Sequence, residues 1–470
     1  MTGPAPAPDA APAPAPAPSA GALTGTAPPP VRGLRRFGRP PRVMGVDVAR
    51  GVAVIGMIGA HVGVTQAFRW GDVSTWTDLV HGRSSLLFAL VAGISIALLT
   101  GGRTLPARED LPRLRLLLVG RGAVVFALGV ALELLGTGIA VILTLYGVLF
   151  VAVVPFLRWR RRHLLVTAAL LALVGPFALT VLGYVAVDAY GPGIDLVLFG
   201  SYPVTVWLAL LLTGLAIGRS DLLSRRTALR LLVVGVALCA VGYGVAGLTG
   251  RSAASSSGSS SSSSYEEGVT VPGGDLDLTD WTCWSSPDYV DCYPDSADVS
   301  GSSESTVSFT PTDAGTGAVE QLGVLAEILP DSGVVDAVVD ASPHSGGSAE
   351  IVGSGGFAMA IVGGALLLSR PLRWVLLPVA ALGSMPLSAY AAHVVVIAVT
   401  LGAAGTAPDD TLWAVLSLSL LVASTLWVQF VGRGPLERLA AAGARAMAGD
   451  PRRPTPRAEP LREAPRPDAP

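Results

Sequence analysis

Lysine is absent from this chain of 470 residues, so arginine carries all of its positive charge at pH 7. Charged residues make up only 14% of the sequence, whereas a soluble domain carries about 25%. Hydrophobic residues make up 51%, and the mean hydropathy is +0.58. A water-soluble fold could not hide this much apolar surface. The composition therefore excludes an ordinary soluble domain and predicts an integral membrane protein.

Two kinds of site have no pattern in the sequence. The arginines stand in short clusters between apolar runs, without the interleaved aromatic side chains typical of nucleic-acid binding. Ligand-spaced motifs such as H-E-x-x-H are absent as well, which argues against a metal centre. We therefore predict no nucleic-acid partner and no metal.

Cysteine is scarce, with three residues in the chain. Cys283 and Cys292 lie in a long polar region, where an oxidising compartment would allow a disulfide. Eight residues separate them, which is a workable small loop. The sequence predicts a disulfide here, with two free thiols as the alternative. Cys239 sits inside an apolar run and is expected only to pack there.

Polar segments divide the chain into five predicted parts. Tails without enough apolar residues to form a core are expected to be disordered and, here, cytoplasmic. The parts are a Pro/Ala-rich tail at 1–41, a membrane domain at 42–249, a Ser-rich extracytoplasmic insertion at 250–345, a second membrane part at 346–439 and a tail at 440–470.

Apolar runs of membrane-spanning length recur along the chain. A spanning helix needs about 20 mostly apolar residues, and arginine-rich connections alternate with arginine-poor ones, as the positive-inside rule requires. The sequence therefore predicts an all-α polytopic bundle of about ten transmembrane helices, with both termini cytoplasmic. The predicted spans are 46–66, 84–101, 115–134, 138–157, 164–187, 203–218, 229–249, 351–369, 374–400 and 411–431.

Two motifs carry a resemblance to a known family. The first is "RVMGVDVARGVAVIGMIGAHVG" at Arg42–Gly63, and the second is "DLVHGRSSLLFALVAGIS" from Asp78. An R-x-x-x-x-D-x-x-R-G-x-A start on the first span, followed by an "LF-x-x-x-x-G-x-S" second span, resembles the catalytic-domain start of heparan-alpha-glucosaminide N-acetyltransferase. It is even more similar to the bacterial YeiB-like membrane proteins. Later segments, such as "ALGSMPLSAYAAHVVVI" and "GRGPLERL", look like the closing region of the YeiB-like proteins.

The resemblance implies an acetyl-CoA-dependent N- or O-acetyltransferase-like protein of the transmembrane acyltransferases, located in a bacterial plasma membrane. Such a protein moves an acyl group, here expected to be acetyl, from cytoplasmic acyl-CoA to a cell-envelope glycan, a lipid or an exported small molecule. Its partners would be the lipid bilayer, acyl-CoA as donor substrate and the envelope acceptor, without a bound cofactor. A homo-oligomer is left open. The named family uses a histidine between its first two spans, and the candidates here are His61 and His81.

The stretch before the second span concentrates reactive side chains. Asp78, His81, Ser84 and Ser85 fall on one helical face at spacings of three and four. Asp78 could orient the imidazole of His81, leaving its other nitrogen as a base or a transient acyl carrier. The alternative is a polar helix cap beside a solvated histidine. His61, at the outer end of the first span, is the second catalytic candidate, and the two histidines could share one pocket.

Four further side chains are candidate substrate-binding residues. Arg83 lies where arginine is scarce, and it could pair with Asp78 or Glu133 or hold an anionic acceptor. Glu133 is the one acid in its predicted span, His344 precedes the eighth span, and His393 lies in the middle of the ninth. Ionisable residues inside membranes are often functional, although a hydrogen bond between helices would explain His393 equally well.

The inner end of the first span offers a donor site. Asp47 and Arg50 are three residues apart and could form a structural ion pair. Alternatively Arg50, together with Arg42 and Arg121, could meet the phosphates of acyl-CoA, which the planar guanidinium group suits.

Two other classes of function stay open. Buried polar residues could line the pathway of a small-solute transporter, although the sequence lacks visible internal repeats. A non-catalytic membrane protein could instead bind envelope components through its Ser-rich insertion.

Overall fold

The computed structural model describes residues 37, 42–64, 82–185, 198, 203–249, 281–285, 290–294, 334–402 and 409–449. The chain divides into two compact units. The first comprises Met1–Ala254 and Gly333–Pro470, and the second comprises Ser255–Ser332.

In the described residues of the first unit, all regular secondary structure is helical. Its N-terminal part contains α1 Met44–Val62, α2 Arg83–Leu99, α3 Leu111–Glu133, α4 Leu143–Ala152, α5 Arg161–Val185, α6 Val204–Gly218 and α7 Arg225–Leu248, with a 3₁₀ turn at Val154–Arg158. Its C-terminal part contains α8 Val334–Val339, α9 Ser348–Leu368, α10 Leu377–Gly383, α11 Pro386–Leu401, α12 Asp410–Phe430 and α13 Pro435–Ala448.

This architecture confirms the prediction of a polytopic helical membrane protein. A helix or helix pair lies in each of the ten predicted spans. Within the described ranges, six helices (α1, α3, α5, α7, α9 and α12) are long and apolar enough to cross a membrane, and the bent pair α10–α11 makes up to seven. Helices α2, α4 and α6 are apolar but shorter. The number of ten spans and the side of each terminus therefore stay predictions.

Burial differs sharply between helices and locates the centre of the bundle. Most of α1 is buried, and it packs against α2, α9, α10 and α12. Helices α5, α7 and α12 are mostly exposed and carry large apolar side chains outward, such as Leu170 and Val236. An exposed face of this kind is stable in lipid rather than in water. Helix α1 is thus the element from which a buried site can be built.

Small residues bring the central helices into close contact. A Cβ atom at Gly93 of α2 would overlap the backbone of Leu211 on α6, and one at Gly383 of α10 would overlap the carbonyl oxygen of Asp47 on α1. Close approach through small residues is typical of membrane helices. The second contact places the end of α10 against the N-terminal half of α1.

The predicted ninth span, 374–400, is two helices rather than one. Helices α10 and α11 meet at an angle of 85°. The break falls before Pro386, and a proline disfavours helical geometry in the residue that precedes it. Met385 accordingly has φ −132° and ψ 54°.

The second unit, which belongs to the predicted insertion, contains a hairpin. Strands β1 (Trp281–Ser285) and β2 (Val290–Pro294) pair antiparallel, with Cys283 directly opposite Cys292. Opposite residues in such a pair have Cα atoms about 4.5–5.5 Å apart, within the range of about 4.4–6.8 Å that a disulfide requires. The backbone register thus suits the disulfide, which stays a prediction.

Candidate functional site

Two intramembrane histidines from distant parts of the sequence meet at the end of α1. His61, in the last turn of α1, has its Nδ1 atom 3.1 Å from Nε2 of His393 on α11. The two imidazole rings are stacked, with centroids 5.3 Å apart and planes 15° from parallel. His393 is completely buried, at 0% exposure. We call these two residues the histidine pair.

A backbone carbonyl sets the direction of hydrogen bonding through the histidine pair. Nδ1 of His393 lies 3.3 Å from the carbonyl oxygen of Ala389. A carbonyl oxygen can only accept, so Nδ1 of His393 carries a proton, and Nε2 of the neutral ring is an acceptor. Nδ1 of His61 therefore donates to His393. In the neutral His61 ring the lone pair then resides on Nε2, the nitrogen that a general base or nucleophile would use.

Aromatic side chains hold the histidine pair in place. The Tyr390 ring packs edge-on against His393 with centroids 4.8 Å apart, and its hydroxyl accepts a hydrogen bond from the backbone N–H of Ile142. On α12, Nε1 of Trp413 donates to the carbonyl oxygen of Ile55 at 3.0 Å. Helix α12 is thereby fixed against the C-terminal half of α1, to which the histidine pair attaches α11.

A second polar cluster lies on the same helical face of α1, nearer to its start. Arg50 precedes His61 by eleven residues, which corresponds to about 16 Å and roughly three full turns. Arg50 Nη1 donates to Asp47 Oδ1 at 2.9 Å, and Nη2 donates to Ser95 Oγ at 2.9 Å. Arg42 also donates to Asp47 through Nε. The predicted Asp47–Arg50 pair is therefore present and ties α1 to α2.

Charged side chains partner both backbone ends of the α10–α11 break. Arg50 Nη1 donates to the carbonyl oxygen of Gly383, the last residue of α10, at 2.8 Å. Glu437 of α13 accepts hydrogen bonds from the backbone N–H groups of Leu387 and Ser388, at 2.7 and 3.2 Å, and from Ser388 Oγ at 2.5 Å. A cation at a helix C-terminus and an anion at an N-terminus both oppose the helix dipole charges. The break is thus a stabilised feature.

Arg121 is the donor-site candidate whose guanidinium group is least occupied. Arg50 already has three hydrogen bonds to protein groups. Arg121, on α3, lies over the ring of Phe150 with its Cζ atom 5.7 Å from the centroid. It interacts electrostatically with Glu437, Arg50 and Arg433. Across the described segments no hydrogen bond to its guanidinium group is found, so its donors can serve an anion.

Arg83 belongs to a separate polar cluster at the start of α2. Its Nε donates to the hydroxyl of Tyr243 on α7 at 2.7 Å, and that hydroxyl lies 2.6 Å from Ser354 Oγ on α9. Its guanidinium carbon lies 4.9 Å from the centroid of the same tyrosine ring. Glu133, one of its predicted partners, is exposed and accepts a hydrogen bond from Thr144 Oγ1 at 2.9 Å.

His344 lies in a turn and is not part of the histidine pair. It has φ 68°, and the residue is exposed. Its backbone N–H donates to Glu350 Oε1 at 2.8 Å, and Glu350 also accepts from the N–H of Gly346 at 2.7 Å. Glu350 is buried in the first turn of α9. This carboxylate therefore shapes the turn before α9.

Sequence reasoning missed Glu350 and Glu437. Both carried a usable signal, because an acid in the first turn of a predicted helix often caps neighbouring backbone N–H groups. Glu350 is the third residue of α9, and Glu437 is the third residue of α13.

Two predicted catalytic residues, His81 and Asp78, lie outside the described residues, so their role stays a prediction. Among the residues that are described, no group of three or more His, Cys, Asp or Glu side chains is arranged to hold a metal ion.

This fold and site define a polytopic helical membrane protein with a histidine pair between α1 and α11. Residues 42–242 match the family described as heparan-alpha-glucosaminide N-acetyltransferase, catalytic. This match confirms the resemblance of that segment to the catalytic domain of this membrane acyltransferase family. Comparison with curated proteins gave no match, and neither did comparison with solved structures.

Proposed function

We propose that this protein is a membrane-embedded acyltransferase that uses acyl-CoA as donor and His61 as its general base or transient acyl carrier. The observation that carries the proposal is the histidine pair, because its hydrogen-bond direction leaves the lone pair of His61 on Nε2. His61 also lies within the segment that matches the acetyltransferase family.

In the general-base route, His61 Nε2 accepts the proton of an acceptor hydroxyl or amine. The acceptor oxygen or nitrogen then forms a bond to the thioester carbonyl carbon, and the C–S bond breaks. The CoA thiolate leaves and takes up the proton from the imidazolium group, so an ester or amide and free CoA are the products. His393 stabilises the transient positive charge, since its Nε2 accepts a hydrogen bond from the Nδ1–H group of His61. Its buried Nδ1–H bond to the backbone keeps that acceptor in place.

In the acyl-carrier route, His61 Nε2 itself forms the bond to the carbonyl carbon. The C–S bond breaks and the CoA thiolate leaves. The acceptor oxygen or nitrogen then forms a bond to the acyl carbon of the acyl-imidazolium, the C–N bond to Nε2 breaks, and the acceptor's proton passes through the freed Nε2 to the thiolate. The same nitrogen serves both routes, so the geometry is compatible with either.

The donor would enter from the arginine-rich side, at which α1 begins. Arg121 is the candidate for the phosphate groups, because its hydrogen-bond donors are not taken up by described protein groups and arginine forms paired bonds with phosphate. Arg50 and Arg42 would act mainly by holding Asp47 and the α10–α11 break. An extended pantetheine arm could span the distance from this region to His61.

The acceptor would approach from the opposite side of the membrane, at which α1 ends. Arg83, buried beside Tyr243, would bind an anionic or polar group of the acceptor. A cell-envelope glycan, a lipid or an exported small molecule would meet this requirement, with the protein located in a bacterial plasma membrane. Glu133 and His344 are exposed near the same side and would contribute to acceptor binding at most from its edge.

The test uses full-length protein in nanodiscs with labelled acetyl-CoA and longer acyl-CoAs. CoA release and label on the protein are measured for wild type and for His61→Ala, His393→Ala and His81→Ala. His163→Ala is the matched control, because His163 is exposed in an arginine-rich turn. We expect His61→Ala to abolish CoA release and His393→Ala to reduce it roughly 100-fold, in the range of one general-base contribution.

The outcomes separate the routes. Label that stays on wild-type protein and disappears in His61→Ala indicates the acyl carrier, whereas turnover without protein label indicates the general base. Absence of donor binding in wild type, or full activity of His61→Ala, would overturn the proposal.

A small-solute transporter is the second candidate, favoured by one observation. Discontinuous membrane helices such as α10–α11 often form substrate sites in transporters. Solute flux into proteoliposomes that is unaffected by His61→Ala, together with no donor binding, would favour this function over acyl transfer.

A further inference from the structure

A pocket opens at the arginine-rich side of the bundle, away from the histidine pair. It has a volume of about 530 Å³ and is formed by three chain segments. These are the start of α1 (42–45), the turn from α6 into α7 (222–228) and the end of α9 with the turn that follows it (366–373). We call it the α1–α9 pocket.

The α1–α9 pocket is strongly basic. Arg42, Arg225, Arg370 and Arg373 all line it, and its described lining contains no acidic residue. Arg42 is balanced by its bond to Asp47. The other three arginines come from two separate segments and converge on one concavity. The positive-inside rule requires arginine on this side of a membrane, but it does not require arginines to converge on one cavity.

Hydrogen bonds to the backbone fix two of these arginines at the rim. Arg370 Nη2 donates to the carbonyl oxygen of Leu223 at 3.2 Å, and Arg373 Nη2 donates to that of Phe37 at 2.8 Å. A guanidinium group has five N–H donors, so Arg370, which is held by one such bond, can still present donors to a phosphate oxygen. The rim is therefore partly organised before a ligand binds.

The turn beside the pocket has the character of a membrane interface. Leu372, Trp374 and Val375 are 43%, 63% and 71% exposed, next to the two arginines of the same turn. Tryptophan and long apolar side chains beside arginines are typical of the level at which lipid headgroups lie. Inside the pocket, Leu222 and Leu366 provide apolar wall. A ligand with a phosphate and an adjoining hydrocarbon chain would match both surfaces.

We propose that the α1–α9 pocket binds an anionic glycerophospholipid of the inner leaflet, with its phosphate among the arginines and its acyl chains along the exposed side of the turn. Basic pockets between membrane helices on the cytoplasmic side bind such headgroups. A soluble phosphate compound, such as CoA, would satisfy the arginines but would leave the exposed Trp374 and Leu372 without a matching group. The proposal does not depend on acyltransferase activity.

The experiment measures binding of single lipids to the full-length protein. Protein delipidated in detergent is titrated with phosphatidylglycerol, with phosphatidylcholine of the same chains, with CoA and with inorganic phosphate. Adducts are counted by native mass spectrometry. The pocket variant is Arg225→Gln/Arg370→Gln, and the matched control is Arg160→Gln/Arg161→Gln. The control removes the same charge from another arginine-rich turn, whose residues do not line the pocket.

We expect wild type and control to prefer phosphatidylglycerol over phosphatidylcholine, and the pocket variant to bind phosphatidylglycerol about tenfold more weakly or worse. If the double variant fails to fold, Arg225→Gln alone replaces it, because this exposed side chain has no hydrogen bond among the described residues. Equal weakening in pocket variant and control would mean diffuse charge attraction and would overturn the site. So would equal binding of both lipids. Displacement of the lipid by CoA or inorganic phosphate at similar concentration would assign the pocket to a soluble phosphate compound instead.

Discussion

Replacing Glu437 tests whether the α10–α11 break depends on its charged partners. In Glu437→Ala, the N–H groups of Leu387 and Ser388 and the hydroxyl of Ser388 lose their common acceptor. Loss of a helix N-cap costs about 0.5–2 kcal/mol, and hydrogen bonds to a charged group are worth about 1.5–3 kcal/mol. Because Glu437 is only half-buried and water can replace part of the loss, we expect a destabilisation of about 2 kcal/mol.

The effect should reach the histidine pair. Ser388 lies five residues before His393 on α11, so freeing the start of α11 loosens the turn that carries the imidazole. Loss of the carboxylate also removes the negative charge that acts on Arg121 against the positive charge of Arg50. We therefore expect the rate of CoA release to fall together with stability. The rate falls roughly tenfold for each 1.4 kcal/mol by which misplacement of the histidine pair raises the activation free energy.

Thermal unfolding in detergent is the assay, with a decrease in Tm of about 4 °C expected for Glu437→Ala. Glu437→Gln keeps one acceptor oxygen but removes the charge, so its Tm should lie between that of wild type and that of Glu437→Ala. Glu109→Ala is the control, since this exposed carboxylate lies in a connection before α3. A Tm of Glu437→Ala equal to that of the control would refute the idea that the carboxylate stabilises the break.

Three further predictions concern helix packing, the hairpin and the polar cluster around Arg83 at the start of α2. Gly214→Val should lower the free energy of unfolding by about 1–3 kcal/mol, because its side chain would overlap the backbone of α2; Gly244→Val, which meets open space, is the control in the same unfolding assay. Cys283 and Cys292 should react with a thiol-specific maleimide only after reduction, and labelling without reductant would disprove the disulfide. Arg83→Lys should raise KM for an anionic acceptor several-fold with little change in kcat, since lysine keeps the charge but loses the planar fork; a loss of kcat at constant KM would contradict a binding role.

The helices themselves were predictable because each depends on a local property, the length of an apolar run. Every predicted span contains a helix, and the Asp47–Arg50 pair followed from spacing along a single helix. The break in the ninth span was missed, although Gly383 and Pro386 marked it, because a continuous apolar run does not indicate a change in the direction of the helix axis. Continuity of hydropathy concealed a change of helix axis by 85°.

The partner of His61 could not be predicted from local pattern. Sequence reasoning placed His61 beside His81 because both were expected at the same depth, and it treated His393 as a separate candidate. The contact between His61 and His393 spans 332 positions of sequence and depends on how α11 packs against α1. The depth of a residue in the membrane can be predicted from its own helix. A contact between residues of two helices depends on how all the helices pack.

The histidine pair joins two helices that are far apart in the sequence, and this has a consequence for biosynthesis. Arg50 reaches Gly383, 333 positions later, and Trp413 secures α1 from 358 positions away. During translation the first helices would enter the bilayer long before the helices that complete their polar contacts. Asp47, Arg50 and His61 would have to wait in lipid, or with a membrane chaperone, until α10 to α12 arrive. A chain released early would therefore carry exposed intramembrane charge, which would mark it for degradation.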